Sequence, residues 1–157
     1  MENTRQNLTT VEPTLLAKQL GYAGLLPFVT LALMLWLVRA DLRGTVATAL
    51  AAYASVIAAF LGGIHWGIAQ RLPADAARFH LMWGVMPSLV AWLALVMPAD
   101  AGLTLLGLTL LACYFADRHS YPRAGLSAWL PMRLHLTLIA VLSCAIGAMA
   151  IIRAVKV

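Results

Sequence analysis

The sequence predicts an all-α fold, a polytopic membrane protein built as a bundle of five transmembrane helices, and three observations support this. Of the 157 residues, 62% are hydrophobic and only 11% are charged, whereas about a quarter of a soluble domain is charged. The charges collect in short clusters between five long uncharged runs. These runs lack the alternation of a transmembrane barrel, and backbone groups in lipid must be bonded internally, so we expect helices.

The five uncharged runs match the thickness of a bilayer, which needs about 20 apolar helical residues. They are residues 19–38, 44–64, 81–99, 101–116 and 136–152. The fourth run is long enough only if Asp117 lies at the interface or faces protein, and the fifth only if its helix starts near Leu130. We therefore predict helices near 20–38, 45–69, 80–98, 101–117 and 129–153.

The connections between the predicted helices are short, so consecutive helices should be antiparallel neighbours in one domain. That domain covers residues 20–153 and follows a polar tail at residues 1–19. The tail lacks the short basic region that opens a signal peptide, so we expect the first helix to be retained.

The net charge of +5 predicts orientation in the membrane rather than binding to nucleic acid. With five helices, seven basic residues fall on the side of the N-terminus and four on the other side. The seven are Arg5, Lys18, Arg71, Arg78, Arg118, Arg123 and Arg133; the four are Arg39, Arg43, Arg153 and Lys156. Because basic residues remain inside, this bias predicts an N-terminus inside and a C-terminus outside.

The second predicted helix carries a small residue at every fourth position, starting at Ala47 and Ala51. The packing residues that we predict are Ser55, Ala59, Gly63 and Gly67. Small residues at this spacing let another helix backbone approach closely. The pattern therefore predicts an interface, either inside the protein or between subunits.

His65 interrupts the apolar run within the stretch FLGGIHWG. It lies about 200° around the helix from Gly63 and about 9 Å into the membrane from Arg71. An ionisable residue at that depth is a candidate functional residue with a partner on another helix. Ionisable residues of the other predicted helices collect at the same end of the bundle, among them His80 and His119.

These residues predict a polar vestibule that holds a small ligand or a proton. Its predicted lining is His65, Trp66, Trp83, Asp117, Arg133 and His135. Pro27 and Pro87 should kink the helices around it, because proline removes a backbone hydrogen bond. The alternative interpretation is structural: aromatic residues gather at membrane interfaces, and the polar residues bond one another between helices.

No catalytic residue and no metal site are predicted. The sequence has no HExxH or CxxC, and zinc requires three or four ligands. A phosphate-binding loop and a Ser-His-Asp arrangement are also missing from the sequence. We expect no cofactor. Haem with His65 and His135 as axial ligands is a lesser alternative: the spacing of the two histidines permits it, but no feature of the sequence requires it.

Four segments carry a family resemblance: LGYAGLLPF at 20–28, FLGGIHWG at 60–67, GVMPSLVAW at 84–92 and LPMRLHLT at 130–137. They resemble the membrane proteins catalogued as domain of unknown function 3429, which include mitochondrial transmembrane protein 69 of animals. The resemblance covers about residues 20–150. It implies a small multi-pass protein of the bacterial inner membrane, or of mitochondria in eukaryotes, with no assigned activity. Its motif residues are Gly62, Gly63, His65, Trp66, Pro87, Trp92 and Arg133.

Three functions remain open from the sequence. The first is a non-enzymatic accessory or assembly protein, with a larger membrane complex or a second copy as partner besides the lipid bilayer. The second is a binding or transport protein for a small ligand or a proton, with its vestibule on the cytoplasmic side. The third is a membrane cytochrome.

Overall fold

A computed structural model of the chain describes residues 12–155, and these residues form helices and turns without any strand. The six α-helices are α1 (Leu15–Ala23), α2 (Leu26–Leu37), α3 (Ala40–Ala69), α4 (Ala74–Val96), α5 (Ala99–Ser120) and α6 (Leu130–Val155). Two 3₁₀ turns, Tyr121–Ala124 and Ser127–Trp129, connect α5 to α6. The predicted all-α class is confirmed. Residues 1–11 of the predicted tail, with Arg5, and Lys156 lie outside the described residues.

Five segments of the described chain are long and apolar enough to cross a bilayer. They are Leu15–Leu37, Ala40–Ala69, Ala74–Val96, Ala99–Ala124 and Ser127–Ala154. Large apolar side chains such as Leu37, Phe60 and Trp92 are exposed on their outer faces. Exposed apolar side chains on helices of this length indicate that the helices contact the lipid bilayer.

Three helices begin five or six residues earlier than predicted: α1 at Leu15 instead of residue 20, α3 at Ala40 instead of residue 45, and α4 at Ala74 instead of residue 80. The first turns of α3 and α4 contain Asp41 and Asp75, whose negative charges interact favourably with a helix N-terminus. A helix can therefore continue beyond the apolar stretch, which hydropathy does not detect.

The first span is divided into α1 and α2 at Gly24 and Leu25. Pro27 occupies the first turn of α2 and has no N–H to bond the preceding turn. The hydroxyl of Tyr53 in α3 donates to the carbonyl oxygen of Gly24 at 2.7 Å. Pro27 thus lies at a break between two helices, whereas Pro87 lies inside the continuous helix α4.

α3 contacts α2, α4, α5 and α6. Its closest approach to α4 is at Gly62 and Gly84, and a Cβ built on Gly84 would lie 2.8 Å from the carbonyl oxygen of Gly62. A Cβ on Gly62 would likewise overlap the carbonyl oxygen of Gly84. Only glycine permits this approach of the two backbones.

The predicted small-residue interface is only partly inside the protein. Ser55 is buried and donates to the carbonyl oxygen of Ala51 at 2.8 Å. Ala59, Gly63 and Gly67, which we call the small-residue strip, are exposed. A Cβ on either glycine would meet no neighbouring atom within 4 Å. The intramolecular contact instead uses Gly62, about 100° around the helix; an interface between subunits stays a prediction.

Candidate functional site

Four helices bring four polar side chains together at one end of the bundle. The four residues are His65, His80, Asp117 and Arg133, which we call the buried network. His65 lies near the end of α3 and Asp117 near the end of α5, whereas His80 and Arg133 lie near the starts of α4 and α6. Because consecutive helices run antiparallel, these four positions have similar depth.

Asp117 and Arg133 form an ion pair inside the protein. Asp117 is 1% exposed and Arg133 is 7% exposed. The Nε of Arg133 donates to Oδ2 of Asp117 at 2.8 Å, and its Nη2 donates to the same oxygen. Leaving either charge alone in this environment costs about 3–5 kcal/mol. The two residues therefore require each other.

The second carboxylate oxygen of Asp117 binds His65, which is 1% exposed. Nε2 of His65 lies 3.1 Å from Oδ1 of Asp117. An ionised carboxylate only accepts hydrogen bonds, so Nε2 carries the proton that is donated. The neutral form of His65 then has a lone pair on Nδ1, available to a donor on a third residue.

His80 provides that donor. Nδ1 of His80 lies 2.9 Å from Nδ1 of His65, a distance that requires one proton between the two nitrogens. With His65 protonated on Nε2, the neutral network has His80 donating from Nδ1. This assignment leaves the network electrically neutral, because Arg133 balances Asp117 and both imidazoles are uncharged.

The network has one ring nitrogen that none of its members uses, Nε2 of His80. An added proton would enter there, and the proton between the two rings could then shift to His65 without any heavy atom moving. The arrangement can therefore bind one proton and pass its charge towards Asp117. The four side chains permit this proton binding and transfer without any further group.

Aromatic side chains surround the two histidines. The ring of Phe79 meets that of His65 edge to face at 6.3 Å and stacks on Trp83 at 6.4 Å, both between centroids. Trp66 is 46% exposed, and its indole lies against Gly84. Tyr121 is buried beside Arg133. The rings of Phe79 and Trp66 remain partly exposed.

A cleft of about 370 Å³ lies beside Arg133, between α1, α2, α3 and α6; we call it the apolar cleft. Most of its wall is hydrocarbon, including Leu25, Phe28 and Leu136. The break between α1 and α2 forms part of the wall. Arg133 is the ionic residue of its lining, which also contains the polar residues Tyr121, Trp129 and Thr137.

The predicted vestibule differs from what the structure contains. Of its predicted residues, only Arg133 lines the apolar cleft. His65 and Asp117 are packed without lining it, Trp66 is exposed, and Trp83 is half-buried. His135 is exposed, and its Nδ1 lies 3.4 Å from the hydroxyl of Tyr22. Similar depth along the helices therefore does not place the six side chains in one lining, and a vestibule that holds a ligand stays a prediction.

The lesser alternative of a haem between His65 and His135 finds no support in this geometry. Both ring nitrogens of His65 are engaged by other residues, and His135 is paired with Tyr22. Within residues 12–155, no three His, Cys, Asp or Glu side chains are grouped so that they could hold a metal ion.

His80 belongs to the buried network but not to the predicted lining of the vestibule. His65 lies four residues before the end of α3, and His80 lies six residues after the start of α4. At 1.5 Å per residue these positions are about 6 and 9 Å from the same turn. Similar depth on adjacent helices was thus visible, but facing orientation was not.

The chain matches the sequence model of the family described as protein of unknown function (DUF3429) over residues 14–149, a range that contains the whole buried network. It is similar to transmembrane protein 69 of Xenopus tropicalis, with 37% identity over 134 residues. That stretch is 81% of this chain and 51% of the relative, so the chain spans about half the length of the relative. No solved structure matches the chain.

Proposed function

Since the chain belongs to the family described as protein of unknown function (DUF3429), we propose its role from the geometry: it is a non-enzymatic membrane protein that binds a small amphiphile in the apolar cleft. The observation that carries this proposal is the cleft itself, with hydrocarbon walls and one fixed guanidinium. Its volume of about 370 Å³ is within the range of small-molecule sites.

The state of Arg133 indicates which polar group the ligand carries. Its charge is already balanced by Asp117 in a buried ion pair. A second anion would therefore place an unbalanced negative charge in a dry environment, which is costly. A neutral acceptor, such as a carbonyl oxygen, can bond the guanidinium without that cost. We infer a ligand with a neutral carbonyl head and an apolar tail that enters from the bilayer.

The test uses a substitution that fills part of the apolar cleft and leaves the buried network unchanged. Ala17 lines the cleft from α1, whereas Ala23 lies on the same helix, is exposed and does not line it. Binding of a long-chain methyl ketone to purified protein in detergent is measured for Ala17→Phe and Ala23→Phe. We expect Ala17→Phe to weaken binding about tenfold, because the ring occupies part of the ligand volume, equivalent to about 1.4 kcal/mol.

The matched variant Ala23→Phe should bind the ketone as the unchanged protein does. A fatty acid of equal chain length should bind more weakly than the ketone, because it brings a second anion to Arg133. Equal effects of the two phenylalanine substitutions, or no measurable binding by the unchanged protein, would contradict the proposal.

A second candidate function is an accessory or assembly role, and the small-residue strip favours it. Ala59, Gly63 and Gly67 are exposed on α3 with open space above both glycines. Small residues at this spacing allow a transmembrane helix of another protein to approach closely. The partner that we propose is a helix of a larger membrane complex; a second copy of this chain is the alternative outcome.

Gly63→Leu tests this second role, with Gly44→Leu as its control. Gly44 is also exposed on α3 and also has nothing within 4 Å of a built Cβ, but it lies outside the strip. After mild extraction, Gly63→Leu should migrate as a smaller particle than the unchanged protein, whereas Gly44→Leu should not. Identical particle sizes for all three proteins would exclude the role.

We further propose a location and an orientation: the bacterial inner membrane, with the N-terminus cytoplasmic and the C-terminus periplasmic. The support is the distribution of basic residues, which favours the side of the buried network. Labelling of single cysteines placed at Arg71 and at Arg39 by a membrane-impermeant reagent in intact cells tests it. Only the cysteine at position 39 should react.

A further inference from the structure

A second cleft, of about 420 Å³, lies at the end of the bundle opposite the buried network. It is formed by the end of α2, the start of α3 and the end of α6, and we call it the arginine cleft. Two arginines line it, Arg43 from α3 and Arg153 from α6, together with Trp36 and small or apolar residues. Two positively charged residues thus line the arginine cleft at the level of a membrane surface.

Neither arginine has a carboxylate partner within residues 12–155. At this end of the bundle Arg39 pairs with Asp41 at 3.3 Å, and no ion pair joins Asp100 to Arg43 or Arg153. The Nε of Arg43 is buried and has no hydrogen-bond partner in the described part of the chain. A buried donor without an acceptor costs about 1–3 kcal/mol, so this nitrogen indicates a missing acceptor.

Arg153 is held in place by an aromatic ring. Its guanidinium carbon lies 5.3 Å from the centroid of the Trp36 ring, a cation–π arrangement. A cation–π contact uses the charge of the guanidinium and does not consume its N–H donors, which can still bond oxygen acceptors. The ring therefore fixes the position of the charge without neutralising it.

We propose that the arginine cleft binds a phosphate group, with Arg43 and Arg153 donating to its oxygens. Two guanidinium groups in one cleft repel each other unless an anion lies between them, and phosphate oxygens suit the planar donors of arginine. The position at a membrane surface, with Trp36 and the 83% exposed Leu37 beside it, favours the head group of an anionic phospholipid. Basic pockets between transmembrane helices bind such head groups.

The test counts bound lipid by native mass spectrometry of the full chain in a neutral detergent. The probes are phosphatidylglycerol and phosphatidylcholine with identical acyl chains, which share the phosphodiester but differ in net charge. We expect one bound phosphatidylglycerol, preferred about tenfold over phosphatidylcholine. Arg43→Gln and Arg153→Gln should each weaken this binding about fivefold, since each removes one charge from the phosphate site.

Arg39→Gln is the matched control, because Arg39 lies at the same membrane surface but is paired with Asp41 and does not line the cleft. It should leave phosphatidylglycerol binding unchanged. Equal binding of the two lipids by the unchanged protein would overturn the proposal, as would an equal loss from Arg39→Gln. If Arg43→Gln does not fold, the exposed Arg153 carries the test, and Arg153→Lys should keep most of the binding.

Competition with inorganic phosphate distinguishes a phospholipid head group from a free phosphate ion as the ligand of the arginine cleft. At millimolar concentration it should not displace the bound lipid, because free phosphate lacks the contacts of the acyl chains. Complete displacement by phosphate, with the same loss in Arg43→Gln and Arg153→Gln, would support the phosphate site and assign it to a soluble anion.

Discussion

Arg133 and Arg43 lie at opposite ends of one bundle, and the two ends stabilise a guanidinium in different ways. Arg133 is buried, donates twice to Asp117 and belongs to a network with two histidines. Arg43 shares an open cleft with Arg153 and has no carboxylate partner in the described chain. Each end therefore favours a different ligand: a neutral acceptor where the charge is balanced, and an anion where it is not.

The two ends should also differ in what they contribute: the buried network to stability, and the arginine cleft to lipid binding. A buried ion pair cannot lose one partner without leaving a bare charge in a dry environment, so a single change in the network should lower the free energy of unfolding more than a change in the arginine cleft. Charges at the surface contribute little to stability, so the arginine cleft should affect lipid binding and little else. The following predictions examine this contrast, starting with the largest expected effect.

Asp117→Asn should give the largest loss of stability, about 3–5 kcal/mol in the free energy of unfolding, because it leaves the charge of Arg133 unbalanced. The matched change is Asp41→Asn, which breaks an ion pair whose side chains are 85% and 61% exposed and should cost at most about 1 kcal/mol. Denaturant unfolding in detergent micelles measures both. Equal losses would contradict the contrast between the two ends.

Gly62→Ala should destabilise the protein by about 1–3 kcal/mol, because a Cβ at this position would overlap the carbonyl oxygen of Gly84. That crossing of α3 and α4 also holds His65 against His80. Gly63→Ala is the control: it meets open space and should be neutral or slightly stabilising, since alanine favours the helix more than glycine. Thermal unfolding of the two variants compares them, and a larger loss from Gly63→Ala would contradict the assigned packing.

His80→Phe should cost about 1–2 kcal/mol, because Nδ1 of the buried His65 loses its hydrogen-bond partner. His119→Phe changes an exposed histidine that bonds Arg123 and should be close to neutral. Nitrogen NMR of histidine-labelled protein near neutral pH provides the second measurement. We expect His65 protonated on Nε2 and His80 on Nδ1; protonation of His65 on Nδ1 alone would show that the assignment is wrong.

Arg43→Gln should cause the smallest loss of stability in lipid-free detergent, less than about 0.5 kcal/mol, because the change removes a buried Nε that has no acceptor in the described chain. Its side chain has no ion-pair partner among the described residues to lose. The same denaturant titration used for Asp117→Asn measures it. A loss comparable to that of Asp117→Asn would show that Arg43 is held by the protein itself and would weaken the distinction between the ends.

The fold and the composition of the site were largely predictable from the sequence, because lipid restricts a long apolar run to a helix. The depth of a residue along a helix then follows from counting, which is why His65, Asp117 and Arg133 were placed at one level. Rotation about the helix axis was not predictable. A shift of one residue along a helix turns the side chain by about 100°, and a shift of two turns it by about 200°. Which of these side chains faces a neighbouring helix depends on where that helix packs, and one apolar run of the sequence does not show this.

Two pairs of residues illustrate this limit. Gly62 and Gly63 are adjacent, yet one meets the backbone of α4 and the other faces open space. Arg133 and His135 are two residues apart, yet one is in the buried network and the other contacts Tyr22 on an exposed surface. Within the described chain, Gly62 rather than Gly63 contacts α4, and His80 rather than His135 contacts His65; the role of Gly63 between subunits stays a prediction.

The most direct test of the balanced charge at the network end is a double-mutant cycle between Asp117 and Arg133. Unfolding free energies are measured in detergent for Asp117→Asn, Arg133→Gln and the double variant. Because each single change leaves a bare partner and the double change leaves none, we expect the double variant to lose at least about 2 kcal/mol less than the sum of the single losses. Losses that add within about 0.5 kcal/mol would contradict the buried ion pair.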